Sequence, residues 1–546
     1  MKGLLSELST PDAAQIPNLC EWGRGASPIL LVAPHGGRRP PVDADAPPRH
    51  LRVNDVYTPE ITRELAVVLG AGFIINRGID RNVLDLNRIS QVRKHARWFL
   101  ELLVHEIEHL LESHRQAELV FVHGWNTGQA ICDVGIGAVE TRAGLQVPDD
   151  AHLTVDEAYM RWRIDALRTA CARVHVGAPL GERYPASHRN NLLQLFTPRA
   201  ARIDDACARQ IAHWVAAGRI NALQLELGIP LRWPGPWRGQ FVAALGEAFE
   251  RGVPVRSGAR VQPPAELRTR EPALRTASAA LQFYDPVSDT GLSAGIGHAG
   301  PRVSTGRLLL FLGGQRVALF TGEEVHAVGN CVGPLRINRR ADDMRLEFAG
   351  PMLVLDDGAV YLDLEAALAQ SHLVEANVHL EFAPTSVEAA SGAAHFGVVR
   401  GSIRINGERR AVETGAFANA AAFRASGSRQ QTMLAAAFGS HHAVLSRVVE
   451  GAGDCTGMHF TQLSPQGLHG VRVAVATDGD VYTPTRLDLS CDGMPPLRGD
   501  PLSRMAILRP LGDGGYLRVT FGVARYDWAG EMGYGLYEYA RPVGGK

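Results

Sequence analysis

At 546 residues the chain exceeds what one hydrophobic core sustains, so two or three domains are expected. Hydrophobic residues at 45% and charged residues at 21% are ordinary for soluble globular protein, and 56 Lys+Arg against 57 Asp+Glu leave a net charge of -1. That balance excludes the broad basic surface by which a protein meets nucleic acid or an anionic membrane.

The opening MKGLLSELSTPDAAQIP places acids and prolines where a signal peptide needs an unbroken apolar run, and no apolar stretch reaches the length of a membrane span. The cysteines (Cys20, Cys132, Cys171, Cys207, Cys331, Cys455 and Cys491) are odd in number, scattered and without a C-x-x-C pair. Reduced thiols in a cytoplasmic protein are the expectation.

Up to about residue 260, short apolar runs alternate with longer helical patterns. ILLVAPH (29–35) reads as a buried strand, a helix follows at 58–69, and FIINRG (73–78) and RNVLDLNR (81–88) read as further strands. The stretch 91–116 reads as a helix and AELVFVHG (117–124) as a strand. Helical patterns fill 154–175 and 199–217, before the strand NALQLELG (221–228) and a helix near 238–250. This alternation predicts an α/β domain over 1–255, with a mainly parallel sheet and helices on both faces. The Pro- and Arg-rich segment at 253–275 has no periodicity and predicts a linker over 256–278. From 279 to 546, runs such as RLLLFLGG, MRLEFAG, GVVRGSIRING and YLRVTFGVARYDW alternate with Gly, Asp and Asn turns. They predict an all-β domain long enough for two barrels or sheets packed together.

Three of the predicted strands end in a side chain suited to metal or proton chemistry: ILLVAP runs into His35, ELVFV into His123 and LQL into Glu226. In open α/β sheets the functional crevice lies at the carboxyl ends of the strands. A single strand-end His is more often structural, but three such ends can bring two imidazoles and a carboxylate to one point. A hydrolytic metal site needs two His, one Asp or Glu, and an open position for water, with a further carboxylate as general base. Asn87 and Arg88 close RNVLDLNR, and a fixed guanidinium grips a carboxylate with two hydrogen bonds. The plainer reading pairs Arg88 with Asp80 or Asp85 on the surface.

His105-Glu106-Ile107-Glu108-His109 matches H-E-x-x-H, the zincin signature. At about 100° per residue, Phe99, Leu103, Ile107 and Leu110 share one helical face. His105 and His109 fall opposite with Glu101, Glu108 and Glu112, on the polar side of an amphipathic helix. The zincin reading is set aside on that ground.

APHGG (33–37), VNDVYT (53–58), RNVLDLNR (81–88), VFVHGW (120–125) and LQLELGIPLR (223–232) resemble, in order and spacing, the motifs of the N-formylglutamate amidohydrolase family. The resemblance covers roughly residues 25–250 and implies a zinc-carboxypeptidase-like fold that hydrolyses an amide next to a carboxylate. It implies one Zn2+ per chain on His35, Asp55 and His123, with Glu226 as base and proton shuttle. Arg88 and Asn87 would hold the substrate's α-carboxylate, and RYPASHRNN (183–191) would form a loop bringing His188 over it. Formylglutamate is one candidate among N-acyl amino acids and similar amides. The chain departs from the family pattern at Gly36, at Phe121, and at Arg38 and Arg39, which cannot ligate a metal.

In the second half, GYGLYEYARP and VVRGSIRINGERRAVETGAF (398–417) resemble strands of the lipocalin-like double-barrel family that includes carotenoid hydratases and hydroxyneurosporene-type proteins. That family's Asp-His-Ser-Trp-Gly stretch is replaced by ANAAAFRAS (418–426). The resemblance therefore implies a module for an apolar ligand or a partner. Tyr526, Trp528, Tyr534, Tyr537 and Tyr539 are candidates to line a cavity, but more readily form core; His441 and His442 read as surface. The reading that results is a metal-dependent amidohydrolase fused to a β-barrel module. Two alternatives stay open: an inactive binding or scaffold protein, and isoprenoid hydratase-like chemistry in the β half.

Overall fold

In the computed structural model the apolar run Ile29–Ala33 is a strand with every residue buried, as a strand covered on both faces requires. The structure describes residues 15–39, 52–141, 144–148, 151–250, 279–298, 303–325, 330–339, 343–385, 394–418, 431–439, 442–449, 455–461, 465–477, 481–510 and 516–543. The chain divides into two compact units, Met1–Val42 with Leu51–Glu271 and Asp43–His50 with Pro272–Lys546. The expected linker at 256–278 lies outside the described residues.

The first unit is α/β. Strands β1 (Cys20–Gly23), β2 (Ile29–Ala33), β3 (Gly72–Asn76), β4 (Ala117–Gly124), β5 (Cys132–Gly135) and β6 (Ile220–Leu227) form one sheet in the order β1-β3-β2-β4-β6-β5. The inner four are parallel and the two edges antiparallel. Alternation along the strands feeds a core on each face. Leu30, Val32 and Phe121 pack with α2 (Ile89–His95), α3 (Arg97–Ser113) and α5 (Ala206–Ala216). Leu31, Val122 and Leu225 pack with α1 (Thr58–Leu69), α4 (Asp165–Arg173) and α6 (Pro236–Glu250). Each such buried Leu or Val contributes roughly 1.5–3 kcal/mol.

Four expected elements differ, the first being the helix expected over 199–217, which is a tight turn at Pro198–Arg202 followed by α5. RNVLDLNR is a run of turns, not a strand, although Leu84 and Leu86 are buried. The cause lies just before it: Asp80 Oδ1 accepts the Asn82 backbone N–H at 3.0 Å and the Asn54 amide at 3.0 Å, diverting the backbone from a ladder. The helix expected over 91–116 is two, broken at Ala96 (φ -145°) without a Pro or Gly to mark the break. The helix expected over 154–175 is a short turn, a widened turn over Met160–Ile164, and α4.

The second unit is all-β. Val303–Phe311, Thr290–His298, Ala279–Asp285, Glu408–Ala418, His395–Ile405, His372–Pro384 and Met344–Leu355 follow Val317–Val325 as successive neighbours, and Val317–Leu319 pairs back onto Leu353–Leu355. That pairing closes these eight strands into a barrel, while Leu335–Arg339 and Cys331–Val332 extend the sheet beyond Met344–Leu355. Leu281, Phe283, Leu308, Phe320, Leu346 and Leu380 fill the interior. The hairpin within VVRGSIRINGERRAVETGAF turns at Asn406 (φ 49°) and Gly407 (φ 83°), the left-handed pair that a two-residue turn matching strand twist requires.

A nine-stranded antiparallel sheet packs on the barrel through Leu309, Phe311, Met505, Val519 and Leu536. GYGLYEYARP lies in Glu531–Val543, flanked by Gln431–Phe438 and Tyr516–Trp528, so it is an inner strand. Tyr526, Tyr537 and Tyr539 are core residues, Tyr534 packs on Tyr284 at 5.7 Å, and Trp528 meets Phe438 at 5.4 Å. His442, read as surface, instead stacks on Phe438 at 5.0 Å and lies 3.4 Å from Glu531. His441 and all of ANAAAFRAS beyond Ala418 lie outside the described residues. No helix among the described residues is long and apolar enough to cross a membrane.

Candidate metal centre

His35 stands two residues beyond β2, and its carbonyl accepts the Asp55 backbone N–H at 2.9 Å. Asp55 sits just ahead of α1; its carbonyl accepts from the Thr58 N–H and hydroxyl at the start of that helix. Its carboxylate Oδ2 accepts the Gly124 N–H at 2.9 Å, at the end of β4. His123 and Glu226 are register partners on the neighbouring strands β4 and β6, so their side chains emerge together. Gly36 is explained by crowding, since a Cβ there would meet Pro59 Cγ at 2.6 Å and the Asn76 carbonyl at 2.7 Å. Phe121 points into the core against Phe196.

Three potential ligand atoms converge at this strand end. His35 Nδ1 and His123 Nδ1 each lie 3.3 Å from Asp55 Oδ2 and 3.1 Å from one another. Tetrahedral sites with bonds of about 2.0–2.1 Å place ligand atoms roughly 3.3–3.4 Å apart. Two ring nitrogens facing each other and a carboxylate at this range suit a shared cation better than a mutual hydrogen bond. His35, Asp55 and His123 are thus a buried group able to hold a metal ion. The rings are set for that role. His35 Nε2 lies 2.8 Å from Asp85 Oδ1, an arrangement that keeps the proton on Nε2 and the Nδ1 lone pair free. Burial pushes His123 down to about 4, opposed by its bond to Asp55, so the ring is neutral near neutral pH. Burial alone would raise Asp55, yet His35, Arg81 and His123 hold it well below the usual carboxylate range. Arg81 reaches Asp55 Oδ1 at 3.0 Å.

These residues floor a cavity of about 320 Å³ that Glu226, Asn87, Arg88, Arg183, His188 and Asn191 also line. Glu226 Oε1 accepts from Gln224 Nε2 at 2.8 Å, and Gln224 Oε1 accepts from Asn191 at 3.3 Å. Burial, then the Asp55 charge, raises Glu226 well above the usual range, with Arg81 and Arg232 opposing and Asp133 adding. Asn87 Oδ1 is buried with no hydrogen-bond partner among the described residues, an acceptor left for a ligand. Arg88 combines both sequence readings: it lines the cavity, and its Nε lies 3.5 Å from Asp85 Oδ2. Its NH1 is 3.5 Å from His188 Nδ1. The loop carrying Arg183 is pinned by buried Asp133, which accepts the backbone N–H groups of Glu182, Arg183 and Tyr184 at 3.0, 2.8 and 2.7 Å.

All seven site residues named from the sequence therefore lie around one cavity. Sequence reasoning named Asp85 only as a surface partner of Arg88, whereas it is buried against His35, and it did not single out Asp133, Gln224, Asn191 or Arg81. The first was visible inside RNVLDLNR as an acidic residue three before Arg88; the others carry no spacing signal. His105 is 63% exposed beside Arg24, and His109 pairs with Glu112, so the H-E-x-x-H histidines stand on the outer face of α3.

No protein-family model matches the chain, and no curated protein matches it either. Among solved structures the chain is similar to N-formylglutamate amidohydrolase from Ralstonia eutropha, with 13% identity over 42% of this chain and 96% of that one, at a TM-score of 0.30. It is also similar to kievitone hydratase from Nectria haematococca, with 10% identity over 49% of this chain and 87% of that one, at a TM-score of 0.30. An amidohydrolase and a hydratase thus appear, one for each resemblance in the sequence. With TM-scores below one half, the functional reading rests on the geometry of the site.

Proposed function

We propose that residues 1–255 are a zinc-dependent amidohydrolase domain with a zinc-carboxypeptidase-like fold, acting on an N-acyl amino acid or a similar carboxylate-bearing amide. A linker at 256–278 joins it to a lipocalin-like binding module at 279–546. The observation that carries this reading is the convergence of His35 Nδ1, Asp55 Oδ2 and His123 Nδ1 within 3.1–3.3 Å at the floor of a cavity shared with Glu226 and Arg88. Two nitrogens and one oxygen are a donor set that zinc accepts readily. When bound, the ion supplies Lewis acidity toward an acyl oxygen and acidifies a neighbouring water.

The chain's own groups do the rest. Glu226, raised by burial, takes a proton from water and later returns it to the departing amine nitrogen. Gln224 donates to Glu226 Oε1 and so fixes the plane of that carboxylate. Arg88 grips the substrate carboxylate and Asn87 Oδ1 accepts from its amide, which aligns the scissile bond. The loop bearing Arg183 and His188 covers the substrate and excludes bulk water. A volume of about 320 Å³ is at the small end of ligand sites and suits an amino acid with a short acyl group.

The test is amine release from N-formyl and N-acetyl amino acids, and from matching amides without a carboxylate, by the zinc-loaded chain. Cleavage confined to carboxylate-bearing amides is expected; no release from any of them contradicts the reading.

A further inference from the structure

We infer that Arg232 is a positioning residue for the metal centre: its guanidinium ties together the three chain segments that carry Asp55, His123 and Glu226. The inference rests on the metal reading above and adds a residue outside the cavity lining. Arg232 closes the short helical turn Ile229–Arg232 after β6 and is fully buried. Its Nε donates to the Leu227 carbonyl at 3.0 Å, one residue past Glu226. NH1 donates to the Val56 carbonyl at 2.6 Å, one residue past Asp55. NH2 donates to the Trp125 carbonyl at 3.2 Å and to Asn126 Oδ1 at 2.9 Å, just past His123. Gly124 lies among these contacts, and its N–H holds Asp55 Oδ2 at 2.9 Å. A Cβ on Gly124 would come within 2.6 Å of Arg232 Cζ, so the guanidinium lies directly against that peptide.

Two other arginines of this unit are buried, and each is matched to a carboxylate: Arg163 to Glu118 and Arg238 to Glu64. Among the described residues Arg232 reaches no carboxylate, and its bonds fall on three backbone carbonyls and one side-chain amide oxygen. Burying a cation with no anion beside it is costly. Burial pulls Arg232 down to about 10, with Asp55 and then Glu226 opposing, so it stays charged near neutral pH. The charges that answer it are thus those of the site itself. Ligating side chains keep a productive geometry to within about 0.5 Å only when their surroundings lock them. A planar fork with five N–H donors can lock three segments at once, which a single ammonium on a flexible stem cannot.

The experiment measures zinc affinity by competition with a chromophoric chelator, using the full chain as wild type, Arg232→Ala, Arg232→Lys and Arg163→Ala. Thermal melts of the metal-free proteins run alongside. Arg163 is the control: it is buried in the same unit, but its partner Glu118 stands at the opposite end of β4 from His123. Both alanine variants are expected to melt earlier than wild type. Only Arg232→Ala is expected to weaken zinc binding, by about 10- to 100-fold. Arg232→Lys keeps the charge without the fork and recovers only part of that loss. Zinc affinity within about twofold of wild type in both Arg232 variants, or an equal loss in Arg163→Ala, overturns the inference while leaving the metal reading intact. Where Arg232→Ala does not fold, Arg232→Lys decides, an unchanged affinity counting against Arg232. If wild type itself binds no zinc, the metal reading falls and this inference with it.

Discussion

In the α/β unit, His35, Asp55, Asp85, His123, Asp133 and Glu226 are all buried and gather at one end of the sheet, beside a cavity. In the all-β unit, buried polar side chains are dispersed: Gln431 pairs with Glu538 at 2.7 Å, while Ser446 and Thr520 sit singly on other strands. Burying a charged group costs several kcal/mol unless it is paired. The first unit concentrates such groups in one place, with two ring nitrogens 3.1 Å apart and a carboxylate beside them, a set that could hold a metal ion. The second spreads them and fills the space between with Phe, Leu and Tyr. The contrast is the ground for placing the proposed hydrolysis in the first unit.

Substitutions in each unit test that contrast, because the first should change chemistry without changing stability and the second the reverse. Glu226→Gln should lower the rate of amide hydrolysis by about 10²–10⁴-fold while zinc content, read by elemental analysis, is retained. Tyr526→Ala removes a fully buried ring from the nine-stranded sheet. It should cost that unit about 3–5 kcal/mol in denaturant unfolding and leave the hydrolysis rate of the folded protein unchanged. Arg88→Ala should raise KM for carboxylate-bearing amides, the loss of a charged hydrogen bond being worth about 1.5–3 kcal/mol. The same change should leave zinc affinity near wild type, which separates substrate grip from metal binding.

That three side chains of the candidate site would meet was legible because strand ends are: His35, His123 and Glu226 each follow an apolar run, and parallel neighbours put such ends side by side. Asn87 and Arg88 were singled out as the close of RNVLDLNR, whereas Asp55 and His188 came only from the order of motifs. What the sequence hid depends on pairing between distant segments. Asp133 lies on an antiparallel edge strand whose partner is set by tertiary contact, opposite Glu226 itself. Gln224 and Asn191 meet across 33 positions of chain. The turns at 81–88 were misread because Val83, Asp85 and Asn87 alternate with Leu84, Leu86 and Arg88 as a strand would, while the Asp80 side chain takes the Asn82 backbone N–H and the Asn82 side chain donates to the Arg52 carbonyl. In the β half, the Asn406-Gly407 turn and the alternating runs gave the class; the closure of Val317–Leu319 onto Leu353–Leu355 is a long-range pairing that no local signal marks.

The most direct test is diffraction at the zinc absorption edge from crystals of the full chain grown with zinc. The account predicts one strong anomalous peak about 2.0–2.2 Å from each of His35 Nδ1, Asp55 Oδ2 and His123 Nδ1. An empty cavity, or a peak confined to His105 and His109 on the outer face of α3, would contradict it.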